Sequence, residues 1–155
     1  MSNDDIHIRQ ATPGDCEAIA VILDEYAREE VLLWRTRDDI MARIAKFLVA
    51  ESDNQVIGCV ALHPYGNGLY EIRSLAVEKQ WTGKRIGSLL TTASVDHARD
   101  ENGLRVFALT RKVDFFLRCG FEISDKNFFP QKVWADCATC HKRDRCDETA
   151  VHVDL

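Results

Sequence analysis

The sequence lacks any apolar run approaching the ~18 residues that a membrane-spanning helix needs, so no membrane partner is expected. Its opening, MSNDDIHIRQ, carries no apolar core of a secretory signal. It has no surplus of basic charge: 20 Lys and Arg stand against 25 Asp and Glu, a formal net charge of −5. That balance argues against a nucleic-acid partner, and any small anion must find a local basic pocket. Internal repeats, low-complexity tracts and linkers are absent as well. What is present is an ordinary globular composition, 46% hydrophobic and 29% charged over 155 residues. A chain of that size has room for one domain and one core without disulfide staples.

Six cysteines without a leader suggest a reducing, cytoplasmic setting, hence thiols or metal ligands before disulfides. Cys16, Cys59 and Cys119 sit among apolar neighbours and read as small buried hydrophobes. Cys137, Cys140 and Cys146 cluster near the end. Their spacing has one zinc-like pair and no second, with His141 or His152 as a fourth ligand. A structural zinc staple and three reduced thiols both fit that pattern.

The order of elements is read from local signals. Ile6 and Ile8 alternate with polar neighbours as a first strand. Thr12-Pro13-Gly14-Asp15 opens a helix carrying Ala18, Ile19, Ile22, Leu23 and Tyr26 on one face. A second helix starts near Thr36, with Asp38 and Asp39 in its first turn. Residues 47–51 and 55–62 form a hairpin about Ser52-Asp53-Asn54, and 69–77 follows the Gly66-Asn67-Gly68 turn. A loop over 78–88 leads to a helix capped at Asn102-Gly103. Strand 104–109, a short helix over 112–118 and a last strand at Phe121 and Ile123 complete the order. The expected fold class is α/β in the α+β sense, a mixed, mainly antiparallel sheet flanked by helices. Residues 1–125 read as the domain and 126–155 as a cysteine-containing extension packed on it.

The segment that carries chemistry is LAVEKQWTGKRIGSLL over 75–90, a strand, a loop with Gly83 and Gly87, and a helix. Backbone N–H groups and the positive dipole end at such a helix start suit a pyrophosphate. A tight turn would produce the same two glycines.

Residues 75–90, the order of elements, and Phe115-Phe116-Leu117-Arg118-Cys119-Gly120-Phe121 resemble the GNAT N-acetyltransferase superfamily. That resemblance implies acetyl-CoA as co-substrate, held by Leu75, Ala76, Val77, Thr82, Gly83, Lys84, Arg85, Ile86, Gly87 and Ser88. Two positions depart from the pattern: Thr82 stands where a Gln or Arg is usual, and Arg85 replaces a glycine. Arg85 is therefore expected to hold the loop without a positive φ. The segments Leu32-Leu33-Trp34-Arg35-Thr36-Arg37, Lys46-Phe47, Gly58–Pro64, Glu71–Val77 and Lys132-Val133-Trp134 resemble the acetyltransferase domain of bacterial N-acetylglutamate synthases. The match is to their short branch, which has no kinase domain in front.

The resemblance implies N-acetylation of L-glutamate, an entry step to arginine biosynthesis. Glu71 stands where related enzymes place a catalytic glutamate, and Arg35, with Leu33, matches the family's glutamate-contacting loop. Ser74 belongs to the matching strand segment and is taken with the substrate set. Arg73 lies two residues from Glu71, so it either meets substrate or pairs with Glu71, and Lys132 sits in the tail motif. Phe116 stands where a proton-donating tyrosine is usual, so no protein acid is expected for the leaving thiolate. His63 and His97 look isolated. Two other readings stay open: an acetyltransferase for another small amine, amino acid or protein N-terminus, and a non-catalytic acetyl-CoA or metal sensor. A homodimer is compatible with all three.

Overall fold

The computed structural model describes residues 6–28, 36–124 and 148–155. Strand β1 (His7–Gln10) is followed by a 3-10 turn (Pro13–Asp15), helix α1 (Cys16–Arg28), helix α2 (Arg37–Ala42) and a second 3-10 turn (Ile44–Lys46). Strands β2 (Phe47–Ser52), β3 (Gln55–Gly66) and β4 (Leu69–Val77) lead to α3 (Ile86–Asp100). Then come β5 (Arg105–Thr110), α4 (Val113–Arg118), β6 (Glu122–Ser124) and β7 (Thr149–Asp154). The strands form one sheet in the order β1-β2-β3-β4-β5-β7-β6. Pairings β1–β2, β2–β3, β5–β7 and β6–β7 are antiparallel, while β4–β5 is parallel over Leu69–Glu71. The mixed, mainly antiparallel sheet expected from sequence is the one observed.

The chain divides into two compact units, one of residues up to His63 with Ile72–His97, the other of Pro64–Glu71 with Ala98–Leu155. In the first, α1 presents Ile19, Ile22 and Leu23 to Phe47 and Val49 of β2 and Cys59 and Ala61 of β3, with Ile40 from α2. Local chemistry sets these elements up. Thr12 N–H donates to Asp15 Oδ2 at 2.8 Å, and Arg9 clamps both Asp15 oxygens at 2.8 and 3.0 Å. Thr36 Oγ1 accepts from the Asp39 N–H and caps α2. Asp53 and Asn54 both take positive φ (51° and 63°) in the β2–β3 turn, matching a two-residue hairpin loop.

In the second unit, Phe107 and Ala150 are buried with Tyr65, Leu69 and Leu109 packed against them. Helix α3 ends with Asn102 at φ 65°, and Gly103 N–H reaches back to the Ala98 carbonyl at 2.8 Å. Gly103 is required for space: a Cβ there would stand 2.7 Å from the Ala98 oxygen and 2.9 Å from the Tyr70 ring. The terminal segment, read in sequence as an extension, includes β7, which lies between β5 and β6.

Candidate active site

The loop before α3 is built from short-range contacts. Glu78 N–H donates to the Ile57 carbonyl at 2.8 Å, and a 3-10 turn follows over Lys79–Trp81. Thr82 Oγ1 donates to the Lys79 carbonyl at 2.8 Å, so this hydroxyl closes the turn. Gly83 takes φ 82° and Arg85 takes φ 64°. This corrects the sequence expectation for Arg85: the residue adopts the left-handed conformation that the family's glycine would favour. Such a φ is rare outside Gly, Asn and Asp, and Arg85 takes it at an exposed loop position. Leu89 N–H then bonds the Arg85 carbonyl at 3.1 Å, which starts the helix ladder.

Ile86, Gly87 and Ser88 therefore form the first turn of α3 rather than loop, and amides there have no carbonyl one turn back. The first turn carries no acidic side chain, while Lys84 and Arg85 are exposed just before it. Gly58 lets this end of the helix settle onto β3. A Cβ at Gly58 would stand 3.1 Å from Leu90 Cδ1 and 3.3 Å from Ile86 Cγ2. The result is a fixed, positively polarised helix start that fits a pyrophosphate by geometry and charge.

Strand β4 leaves the extended region at Ser74, where φ is 53°. The Cys59 thiol donates to the Ser74 carbonyl at 3.4 Å, and burial pushes this thiol up to about 12. Further along, Tyr26 Oη donates to the Val77 carbonyl, and Lys79 Nζ stands 5.6 Å from the Tyr26 ring centroid. Burial raises the Tyr26 phenol above its usual range. Both ends of the Leu75–Val77 stretch are thus held by side chains from neighbouring elements. Fixed main-chain dipoles of this kind can polarise a carbonyl without reorganising.

Beside Ser74 the first unit opens a shallow cleft continuous with solvent. Arg43, Lys46, His63 and Arg73 line it with Asp39 and Ser74, over Ile40, Phe47 and Ala61. Three permanent cations against one carboxylate make it an anion-attracting site. Sequence reasoning placed Arg73 and Ser74 in the substrate set; it quoted Lys46 and His63 only within matching segments and did not name Arg43. Arg43 and Lys46 had a local signal, since residues three apart on a helical turn fall on one side. His63, read as isolated, reaches the cleft through strand pairing.

In the second unit Glu71 is only 8% exposed, and Tyr65 Oη donates to its Oε1 at 2.7 Å. Tyr65 is a residue that sequence reasoning missed. Phe116 is buried, with ring centroids 5.1 Å from both Phe115 and Phe121, and acts as a packing residue. Leu33, Arg35, Lys132, Cys137, Cys140 and Cys146 lie outside the described residues. Among the described residues, no group of three or more His, Cys, Asp or Glu is placed to hold a metal. No described helix is long and apolar enough to cross a membrane.

Residues 43–123 match the acetyltransferase (GNAT) domain family. An uncharacterized N-acetyltransferase of Chlorobaculum tepidum is 42% identical over 147 residues, 95% of either chain. The chain belongs to the GNAT acetyltransferase family. It is an acyltransferase by that membership. An amino-acid acetyltransferase of Mycobacterium tuberculosis is 37% identical over 74% of this chain and 67% of its own length. The acetyltransferase spans a smaller share of other relatives, 28% of the amino-acid acetyltransferase of Shewanella oneidensis at 33% identity. Among solved structures, N-acetylglutamate synthase from Neisseria gonorrhoeae, complexed with coenzyme A and N-acetyl-glutamate, aligns with a TM-score of 0.87. The alignment covers 97% of this chain and 35% of that one at 27% identity.

Proposed function

We propose that this acetyltransferase moves the acetyl group of acetyl-CoA directly to the α-amino group of L-glutamate. The observation that carries the acceptor is the cationic cleft of Arg43, Lys46, His63 and Arg73 beside Ser74. An acidic amino acid brings two carboxylates, and guanidinium and ammonium groups are the natural counter-charges for them. Relatives named amino-acid acetyltransferase, and the likeness to a synthase solved with N-acetyl-glutamate, support the same reading.

The helix start at Ile86–Ser88, preceded by Lys84 and Arg85, holds the pyrophosphate of the co-substrate. The main chain around Leu75–Val77 polarises the thioester carbonyl. Glu71 takes a proton from the substrate ammonium, directly or through a water, leaving a nucleophilic amine. A nitrogen–carbon bond then forms and the carbon–sulfur bond breaks, with the electron pair leaving on sulfur. A thiol of pKa about 8.5 is a good leaving group near neutral pH and takes its proton from water. That chemistry needs no acid at the position of Phe116.

The test is release of free coenzyme A thiol from acetyl-CoA with L-glutamate, L-aspartate, L-glutamine, L-arginine, polyamines and no acceptor. Turnover with L-glutamate above the other acceptors is the expected result. Turnover confined to a different amine would move the substrate while keeping the reaction. Binding of acetyl-CoA without turnover of any acceptor would overturn the reading in favour of a sensor.

A further inference from the structure

Glu71 is one of the most buried carboxylates described, and its environment is more specific than proton transfer alone requires. Its Oε1 accepts from Tyr65 Oη at 2.7 Å. The Tyr65 ring is itself fixed: it lies 5.9 Å from the Phe107 ring at an interplanar angle of 32°. Phe107 is fully buried and is the residue of β5 in register with Glu71. Phenol, carboxylate and aromatic wall thus form one packed set on β3, β4 and β5 within the second unit. A glutamate side chain samples many rotamers in solution, and a short bond to a donor packed against Phe107 narrows that choice.

We propose that Tyr65 is a positioning residue for Glu71, holding the carboxylate in the orientation that receives the proton of the acceptor amine. The inference rests on the reading of Glu71 as the base. In this proposal Tyr65 acts through Glu71.

The experiment is a double-mutant cycle of Tyr65→Phe and Glu71→Gln, measured as kcat and KM for thiol release with the acceptor that the parent uses. Glu71→Gln lowers kcat by about a hundredfold or more. Tyr65→Phe keeps the ring against Phe107 and lowers kcat by about tenfold, with both KM values within about twofold. The double variant equals Glu71→Gln alone, because a positioning residue has nothing left to position. Tyr65→His, which retains a ring donor, recovers part of kcat relative to Tyr65→Phe. Coenzyme A affinity of each variant, read by calorimetry, reports that the fold survives. Losses that multiply in the double variant would overturn the proposal, as they would mean that Tyr65 acts on its own. A parental kcat in Tyr65→Phe beside a crippled Glu71→Gln would overturn it while leaving Glu71 as base. Parental kcat in Glu71→Gln, or no turnover of any acceptor by the parent, would overturn the reading of Glu71 and the proposal with it.

Discussion

The Cys59 thiol is a hydrogen-bond donor to the Ser74 carbonyl, 3.4 Å away, across the boundary between β3 and β4. It fastens a residue that sits at φ 53° inside a strand. A non-glycine residue held there costs on the order of 1 kcal/mol, and such cost persists where surrounding contacts over-determine the backbone. Here those contacts are a fully buried thiol on one side and the cleft wall on the other. The break in β4 therefore belongs to the construction of the site.

Ser74→Gly and Ser74→Val separate the role of this backbone from that of the hydroxyl. Glycine accepts the conformation, so kcat should stay within about threefold and stability within about 1 kcal/mol. Valine resists it because of its branched Cβ. It should cost about 2 kcal/mol or more and lower kcat by about tenfold or more. Thermal unfolding and thiol release check both, and a crippled glycine variant would transfer the role to the hydroxyl.

Asp15 gives the fold an acid-sensitive joint. The Arg9 guanidinium, then the Thr12 N–H and hydroxyl, hold its carboxyl down from 3.8 to about 2 against the opposing effect of burial. A depressed carboxylate stabilises the fold above its unfolded value and loses that contribution as pH falls through the folded one. Stability should therefore drop by about 2 kcal/mol as pH falls from about 4 to about 2. Asp15→Asn should be less stable at neutral pH and show a flatter acid slope in denaturant titrations over that interval.

The cleft predicts a split between the two substrates. Arg43→Ala and Lys46→Ala should each raise KM for L-glutamate by about tenfold, the scale of one charge-assisted hydrogen bond. KM for acetyl-CoA should stay within about twofold, since that ligand is assigned to the helix start at Ile86. Raising the salt concentration should weaken L-glutamate binding further. Equal losses toward both substrates would argue against the cleft as the acceptor site.

Legibility in the sequence followed the range of the interactions. The Thr12–Asp15 helix start, the Asp53-Asn54 turn and the Asn102-Gly103 cap are set by residues within five positions of each other, and all three were read correctly. Strand β7 was missed because TAVHVD gains its meaning only by pairing with β5 and β6, residues far away in the chain. The cleft was half seen for the same reason: Arg43 and Lys46 meet His63 and Arg73 only after β2, β3 and β4 assemble. Glu71 was found through resemblance, since a glutamate in a strand has no local mark of burial, and its bond to Tyr65 spans a turn. Arg85 was misread because a positive φ is uncommon for a long side chain, yet an exposed loop position leaves room for it.

Arg85 can test whether the loop works through its main chain or through its guanidinium. Its φ of 64° already reproduces the glycine-like backbone, and its carbonyl accepts the first helical bond from Leu89. Arg85→Gly removes the left-handed penalty, so the protein should be more stable by about 0.5–1 kcal/mol, less any added freedom of the unfolded chain. If the amides at the start of α3 dominate binding of the pyrophosphate, KM for acetyl-CoA should change by no more than about threefold, the loss of one exposed, screened charge. Arg85→Val should be worse than Arg85→Gly on both counts, destabilising by about 1–2 kcal/mol and disturbing the helix start. Should Arg85→Gly raise KM for acetyl-CoA by a hundredfold, the side chain would be the principal anchor. In that case the substitution of glycine by arginine would mark a different way of holding the co-substrate, with the charge of a side chain replacing the close approach of a backbone.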